Sequence, residues 1–67
     1  MRDWLIAIRM HKKLSQKDVA NAIDVSQPTY WEYEHGVSTP SVRVAKRIAT
    51  YLGFDWTLFY DDLDTTA

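Results

Sequence analysis

Apolar residues recur at helical spacing in short stretches of this chain, and residues typical of helix ends lie between those stretches. In residues 15–23, Val19 and Ile23 lie about one turn apart on the same face of a helix. Ser15 and Asp18 form the S-x-x-D pattern that caps a helix start. The pattern therefore predicts a short helix that begins after Ser15 and buries one face.

A second helix is predicted directly after the first. Asp24 and Val25 interrupt the apolar period, and Ser26 can cap a new helix. Pro28 is tolerated because it falls in the first helical turn, and Gly36 is typical of a helix C-terminus. Two short helices joined by such a tight turn indicate a helix-turn-helix unit. Its predicted interior consists of Val19, Ala20, Ile23, Val25, Tyr30 and Tyr33.

The outer face of this unit is polar, since Gln16, Gln27, Thr29 and Glu32 remain outside the apolar set. A helical hairpin has no need for this mixture of side chains. A helix laid in the major groove of DNA does need short polar side chains near its N-terminus, because they reach the base edges. The polar face therefore indicates readout of DNA.

Two further helices flank the unit. Asp3 can cap a first helix that runs to about Lys13. Either Thr39 or Ser41 can cap a helix that ends at Gly53. The apolar side of that helix is predicted to consist of Val44, Ala45, Ile48, Ala49 and Leu52.

The C-terminal part of the chain changes in character. Asp55 can cap a last short helix through Tyr60, and residues 61–67 are polar and acidic with little to bury. The chain has 67 residues and contains no repeat or linker. We therefore predict one domain over residues 1–60, followed by an acidic tail over residues 61–67.

Composition excludes several classes of protein. Cysteine is absent, which rules out disulfides, thiolate metal sites and cysteine nucleophiles. No segment resembles a signal peptide or a membrane span, so a cytoplasmic location is expected. His11 and His35 lack partners at metal-ligand spacing, and the chain has no motif for phosphate binding or catalysis. We expect neither an enzyme nor a protein with a metal or cofactor.

The formal net charge of −1 is unusual for a DNA-binding domain, but the charges are unevenly distributed. Residues 1–50 contain all eight basic residues and five acidic ones, whereas residues 51–67 contain four aspartates. An acidic end placed away from DNA leaves the duplex accessible, although it weakens long-range attraction. We expect moderate binding by a single subunit.

Beyond these local patterns, the chain resembles the Cro/C1-type helix-turn-helix family, which includes phage repressors, Cro proteins and many small bacterial regulators. The resemblance covers about residues 4–60 and implies an all-α, lambda-repressor-like fold of five short helices, of which the second and third bind DNA. The matching residues are Arg9, Leu14-Ser15-Gln16, Val19-Ala20, Ile23, Val25-Ser26-Gln27, Thr29, Glu34, Gly36, Pro40-Ser41, Ile48-Ala49 and Leu52-Gly53.

The chain also departs from the family pattern. Lys13 and Asp24 stand where the family usually has glycine in a left-handed backbone conformation, and Ala45 replaces a larger apolar residue. Val37 and Ser38 replace a lysine-rich segment, which reduces the phosphate binding expected there.

Base contacts are expected from the second helix of the unit. Gln27 can pair bidentately with adenine. The alternative is a purely structural role, in which its side chain adds a further cap to the helix start. Thr29 can contact a thymine methyl or a phosphate, and Glu32 can accept from cytosine N4 while repelling nearby phosphates. Pro28 offers only apolar contact. Trp31 is either a contact at the groove edge or, as we expect, a residue packed against the fourth helix.

Phosphate contacts are expected beside that face. Gln16 opens the first helix of the unit, where backbone N–H groups point outward, and its side chain can also hold a neighbouring residue. Lys17 is adjacent, and the resemblance implies a contact from Arg43. It also implies a buried structural ion pair between Arg9 and Glu34. The full predicted phosphate-contact set is Gln16, Lys17, Ser26, Ser38 and Arg43.

Aromatic residues cluster late in the chain, at Tyr51, Phe54, Trp56, Phe59 and Tyr60. This is more apolar surface than a short terminal helix needs for its own docking. We expect Phe54 and Leu58 to face inward. The predicted dimer interface consists of Trp56, Phe59 and Tyr60.

These observations predict a homodimeric, sequence-specific transcriptional regulator, most simply a repressor, that binds double-stranded DNA at a palindromic operator. The alternative is an antitoxin or adaptor of the same fold, whose main partner is a protein such as a toxin or RNA polymerase.

Overall fold

The computed structural model describes the backbone of residues 1–64 and the side chains of residues 1–61. All regular secondary structure in this part of the chain is helical, which confirms the predicted all-α fold. The five helices are α1 (Asp3–His11), α2 (Gln16–Ile23), α3 (Gln27–His35), α4 (Val42–Leu52) and α5 (Leu58–Asp64).

Side-chain caps begin α2 and α3 at the predicted residues. The Ser15 hydroxyl accepts a hydrogen bond from the Asp18 N–H at 3.0 Å, and the Asp18 carboxylate accepts one from the Ser15 N–H at 2.9 Å. The Ser26 hydroxyl accepts from the Thr29 N–H at 3.2 Å. Because each cap stabilises a helix by about 1 kcal/mol, these short helices start at defined positions.

Residues in the left-handed backbone region end α2 and α3. Asp24 has a φ of 62° at the end of α2, and Gly36 has a φ of 74° at the end of α3. Lys13 adopts the same conformation, with a φ of 59°. Both positions at which the family usually has glycine therefore do require left-handed backbone, which aspartate tolerates better than lysine.

The ends of α4 agree with the prediction. Of the two candidate caps, Ser41 rather than Thr39 starts the helix, since its hydroxyl accepts from the Val44 N–H at 3.3 Å. Gly53 ends α4.

The prediction for the ends of α1 is wrong in detail. The cap position is occupied by Arg2, without a side-chain cap, and Asp3 is the first helical residue. The backbone N–H of Arg2 donates to the carbonyl of Glu34 at 2.7 Å, so contact with α3 sets where α1 starts. The helix ends at His11 rather than at Lys13.

The core lies where α2 packs against α3 and α4 and where α1 packs against α3. Its buried hydrophobic residues are Leu5, Val19, Ala20, Ile23, Tyr30, Tyr33, Ala45, Ile48, Ala49, Leu52 and Phe59. Val25 lies in the α2–α3 turn and is only half-buried, unlike the rest of the predicted interior of the helix-turn-helix unit. On α4, Val44 is half-buried and the other predicted core residues are buried.

The last helix begins and ends later than predicted. The Asp55 carboxylate accepts from the Thr57 N–H at 2.9 Å in a local turn, so it does not cap α5, which starts at Leu58. The helix continues to Asp64 rather than ending at Tyr60. Residues 61–64, which were assigned to the acidic tail, are therefore helical, and residues 65–67 of that tail lie outside the described residues.

Phe59 faces the core of its own chain. Its side chain is 0% exposed, and its ring centroid lies 5.1 Å from that of Trp4 and 5.7 Å from that of Phe54. The assignment of Phe59 to a dimer interface is therefore wrong, because the rotation of α5 turns this ring towards α1.

Trp56 and Tyr60 are both half-buried. The Tyr60 hydroxyl donates to the carbonyl of Pro40 at 2.8 Å, and the Lys46 ammonium lies 5.1 Å from the Trp56 ring centroid. Leu58, which was expected to face inward, is also only half-buried. This short segment thus has one fully buried aromatic ring and several partly accessible apolar side chains.

A buried carboxylate joins the first three helices. Glu34 on α3 is 1% exposed, and its carboxylate accepts two hydrogen bonds from the guanidinium of Arg9 on α1. The Gln16 amide on α2 donates to the same carboxylate at 3.0 Å. Arg9 also donates to the carbonyl of Leu14 at 2.8 Å. The ion pair expected from the family resemblance is present and ties α1, α2 and α3 together.

This network sets the ionisation of Glu34. Burial by itself disfavours the carboxylate, but hydrogen bonds from Arg9 and then Gln16 outweigh that effect and hold the pKa of Glu34 below its usual value. Burial, followed by the neighbouring Glu34 carboxylate, raises the pKa of the Tyr30 phenol. The ionised carboxylate is therefore the form that the fold stabilises.

We predict that Glu34→Gln destabilises the fold by about 3 to 5 kcal/mol, because the guanidinium of Arg9 is left partly buried without its counter-charge. Chemical denaturation measures the loss. The matched control is Glu32→Gln on the same helix, where the parent carboxylate forms no ion pair among the described residues. Equal stabilities for Glu34→Gln and the parent would contradict the structural role of the pair.

The same network predicts how stability depends on pH. Because the pKa of Glu34 is lower in the folded chain than in the unfolded chain, its contribution is present above about pH 4.3 and is lost as the pH falls through the folded pKa. Denaturation of the parent from pH 6 to about pH 3 should show this loss. In Glu34→Gln the decline should be shallower, and identical slopes would count against the assignment.

Candidate DNA-binding surface

The N-terminus of α2 and the outer side of α3 meet in an open hollow of about 400 Å³. Its lining residues are Gln16, Gln27, Pro28, Trp31 and Glu32. Three of the four predicted base-contact residues therefore lie on one surface with one predicted phosphate-contact residue. We refer to this hollow as the recognition surface.

The first turn of α3 supplies the most accessible part of the recognition surface. Gln27 and Pro28 are exposed, whereas Thr29 is half-buried. The Ser26 hydroxyl donates to the Thr29 hydroxyl at 2.8 Å while it caps the helix. The cap therefore orients Thr29. The exposed carboxamide of Gln27 forms no hydrogen bond with the described residues and offers both donors and an acceptor.

Gln16 is less available than the sequence analysis expected. Its amide nitrogen donates to Glu34, so the side chain is held against the buried ion pair. Gln16 does hold a neighbouring residue, as expected, but that residue is Glu34 at the end of α3 rather than a base-contact residue. The backbone at the start of α2 remains beside the recognition surface, where N–H groups and the helix dipole favour a phosphate.

Trp31 was expected to pack against the fourth helix, with a contact at the groove edge as the alternative. Its side chain is 43% exposed and lines the recognition surface, which favours the alternative. Its ring stacks on that of His35 one turn later, with centroids 3.9 Å apart. The available signal was its helical spacing, since Trp31 lies one turn after Gln27 on α3. It adds a large apolar surface beside the polar groups.

The other predicted phosphate-contact residues do not line this hollow. Lys17, Ser26 and Arg43 are exposed, and Ser38 is half-buried in the loop between α3 and α4. The Ser38 carbonyl accepts from the guanidinium of Arg2 at 2.9 Å, so this part of the loop is held against the N-terminal residues.

Acidic groups reduce the positive potential near the recognition surface. The Ser15 backbone N–H and then the Ser15 hydroxyl lower the pKa of the Asp18 carboxyl, which stays ionised at the start of α2. Glu32 lies within the surface itself. Amides, one carboxylate and an aromatic ring therefore dominate this site rather than a cluster of cations. Such a set suits hydrogen bonding to base edges better than non-specific attraction to phosphates.

None of the helices within residues 1–64 is both long enough and apolar enough to cross a membrane. Among the described side chains, residues 1–61, no group of three or more acidic or histidine side chains is arranged to hold a metal ion.

Comparison with known proteins supports this description. Residues 5–59 match the model of a family described as helix-turn-helix. YqaF of Bacillus subtilis (strain 168), named as an uncharacterized HTH-type transcriptional regulator, is 43% identical over 63 residues, which cover 94% of this chain and 83% of YqaF. The cryptic phage CTXphi transcriptional repressor RstR of Vibrio cholerae is 31% identical over 58 residues, which cover 87% of this chain and 52% of RstR. No solved structure matches the chain.

The matched region contains both helices that form the recognition surface and extends from α1 to the first residues of α5. The agreement therefore concerns the whole fold and not an isolated motif. We conclude that this chain belongs to the Cro/C1-type helix-turn-helix family of DNA-binding transcriptional regulators.

Proposed function

We propose that this chain binds double-stranded DNA sequence-specifically, as a homodimer on a palindromic operator in the cytoplasm, and represses transcription. The observation that carries the proposal is the recognition surface, where the capped start of α3 presents Gln27 beside Trp31 and the N-terminus of α2. The name of RstR as a transcriptional repressor supports repression as the direction of regulation.

In this proposal, α3 lies in the major groove and its first turn faces the bases. Gln27 pairs with an adenine edge, Thr29 contacts a thymine methyl or a phosphate, and Glu32 accepts from a cytosine amino group. The start of α2 and Lys17 contact phosphates on one side, while Ser38 and Arg43 contact them on the other. Trp31 covers the deoxyribose and base edges next to the pair formed by Gln27.

A second copy of the chain supplies the second half of the interface with DNA. Trp56 and Tyr60 are partly accessible, and Tyr51 on the preceding helix is 44% exposed. We propose that these rings form the dimer contact in place of the buried Phe59. Two-fold symmetry then places the two copies of α3 about 34 Å apart, one turn of the duplex.

The accessible aromatic rings also favour a second candidate function, in which they bind another protein, as in an antitoxin or adaptor. Mobility shifts at low salt, with a duplex selected from a random pool and with an unselected duplex, distinguish the two functions. A regulator retards the selected duplex at a lower concentration. A pure adaptor enriches no sequence from the pool and retards neither duplex selectively, which would overturn the proposed function.

We predict that Gln27→Ala weakens binding to the selected operator by about 1 to 3 kcal/mol and relaxes the preference at one position in each half-site. Gln16→Ala and Lys17→Ala should weaken all duplexes more evenly, because they act on the phosphate side. Fluorescence anisotropy with cognate and random duplexes measures both effects. Equal losses on the two duplexes for Gln27→Ala would remove it from direct readout.

A denaturation curve is needed beside the Gln16→Ala binding data, because the parent amide also donates to Glu34. The Lys17 side chain forms no hydrogen bond or ion pair with the other described residues. Lys17→Ala is therefore the variant that tests a phosphate contact with the smaller effect on the fold.

The three tryptophans permit a direct test of where DNA and the second copy bind. In protein labelled with 5-fluorotryptophan, the ¹⁹F resonance of Trp31 should shift when the selected duplex is added. The resonance of Trp56 should instead depend on protein concentration, and that of Trp4, which packs on Phe54 and Phe59, should change least. Single Trp→Phe variants assign the three signals. A Trp31 signal that is unaffected by a saturating duplex would exclude it from the interface.

Dimerisation is tested by placing a charge on the accessible aromatic segment. We predict that Trp56→Glu sediments as a monomer at micromolar concentration, where the parent is a dimer, and loses dependence on half-site spacing. Met10→Glu is the matched control, because Met10 on α1 is also an exposed apolar residue, at 62%. A monomeric parent on a duplex with two half-sites would contradict the dimer.

A further inference from the structure

Arg2 is buried although its side chain is basic. Only 5% of the residue is exposed. Burial of a charged side chain is costly unless it is paired and hydrogen-bonded. The contacts of Arg2 therefore show what this residue holds in place.

Arg2 contacts the last turn of α3 through both its backbone and its side chain. Its backbone N–H donates to the carbonyl of Glu34 at 2.7 Å, and its Nη1 donates to the carbonyl of Tyr33 at 2.6 Å. Carbonyl groups in the last turn of a helix lack partners within that helix, and a cation there is favoured by the helix dipole. Arg2 thus provides a cap for the C-terminus of α3 from a different part of the chain.

The same guanidinium also holds the loop that follows α3. Nη1 donates to the carbonyl of Ser38 at 2.9 Å, and Nη2 donates to the hydroxyl of Thr39 at 2.8 Å. Its carbon atom lies 5.5 Å from the centroid of the buried Phe59 ring. Because the guanidinium is planar and rigid, it sets the separation between the end of α3 and residues 38–39.

We propose that Arg2 is a positioning residue for DNA binding, which places the α3–α4 loop so that Ser38 meets a phosphate while α3 lies in the groove. This inference rests on the proposed function. A helix that contacts base edges and a loop that contacts DNA phosphates can bind the same duplex without a cost of rearrangement only if the free protein already holds them in the right relative position. Arg2 makes that connection through one side chain.

A buried arginine that only stabilises the fold leads to a different expectation. Its replacement would lower stability and would reduce the amount of active protein without changing the affinity of the protein that remains folded. Loss of positioning instead removes the contact between Ser38 and a phosphate, which lowers the affinity of the folded protein for cognate and random duplexes alike, because a phosphate contact carries no sequence information. The ratio of cognate to random binding changes little, because the residues that face the bases lie at the other end of α3.

The test uses Arg2→Lys, which retains the positive charge but does not reproduce the planar fork of donors. Arg47→Lys is the matched control, since Arg47 is an exposed arginine on α4. The first measurement is amide hydrogen exchange in the free protein at Val37 and Ser38, whose N–H groups donate to the Glu32 carbonyl at 3.0 Å and 3.5 Å. We expect exchange at these two amides to increase about tenfold in Arg2→Lys, in line with the loss of one charge-assisted hydrogen bond, and not in the control.

The second measurement is the affinity of the folded protein for the selected operator and for a random duplex. We expect both affinities to fall about tenfold in Arg2→Lys, in line with the loss of one hydrogen bond to a charged group, with the ratio of cognate to random affinity unchanged. Ser38→Ala should also lose affinity in the parent background, and it should lose much less in Arg2→Lys, because the loop is already displaced.

The outcomes are distinct. Unchanged exchange at Val37 and Ser38 overturns the positioning role whether or not DNA binds. Faster exchange with unchanged affinity for both duplexes also overturns it, because the loop then does not act on phosphates. If the parent itself shows no selective DNA binding, the proposed function fails, and the positioning of this loop for DNA fails with it even where exchange shows that Arg2 holds the loop.

Discussion

The buried carboxylate of Glu34 is the constraint on which the arrangement of the first three helices depends. A carboxylate that is 1% exposed is tolerated in the fold only if donors surround it, and here those donors come from α1 and α2. Arg9 also bonds to the Leu14 carbonyl, so the turn between α1 and α2 belongs to the same network. As a result, the start of α2 and the end of α3 have a defined relative position, and the recognition surface lies between them.

The two ends of α3 are held in different ways. Its start is defined locally, because the Ser26 hydroxyl accepts from the Thr29 N–H three residues later. Its end is defined by Gly36, which supplies the left-handed backbone, and by Arg2 from the beginning of the described chain. With both ends and one side of the helix occupied by the fold, the remaining side is left to contact a ligand. The Gln27 carboxamide and the Trp31 ring on that side favour a partner that presents both hydrogen-bonding edges and apolar surface, as the major groove does.

The charge of the recognition surface and the small size of the chain both support the proposed dimer. The recognition surface contains Glu32 and lies near Asp18, so one subunit has limited attraction for phosphates. A chain of 67 residues also buries a modest core. The proposed dimer through the accessible rings near α5 would address both limits, because it would bury apolar surface and double the number of contacts with DNA.

Local features of this fold followed from the sequence by itself. The caps at Ser15, Ser26 and Ser41 depend on residues three positions apart, and the left-handed helix ends depend on single residues, so neither requires knowledge of distant contacts. The pairing of Arg9 with Glu34 joins residues far apart in the chain, and it was predicted only because the chain resembles a known family.

Tertiary structure decided the roles of Phe59, Trp31 and Arg2. Phe59 is buried and Trp31 is exposed because each helix is rotated by packing against its neighbours, and a cluster of aromatic residues in the sequence does not encode that rotation. Arg2 carried no sequence signal, since the hydrogen-bond acceptors of its side chain among the described residues are backbone carbonyls and a hydroxyl more than thirty residues away. Backbone acceptors are the same at every position, so only the folded chain shows which of them a buried guanidinium meets.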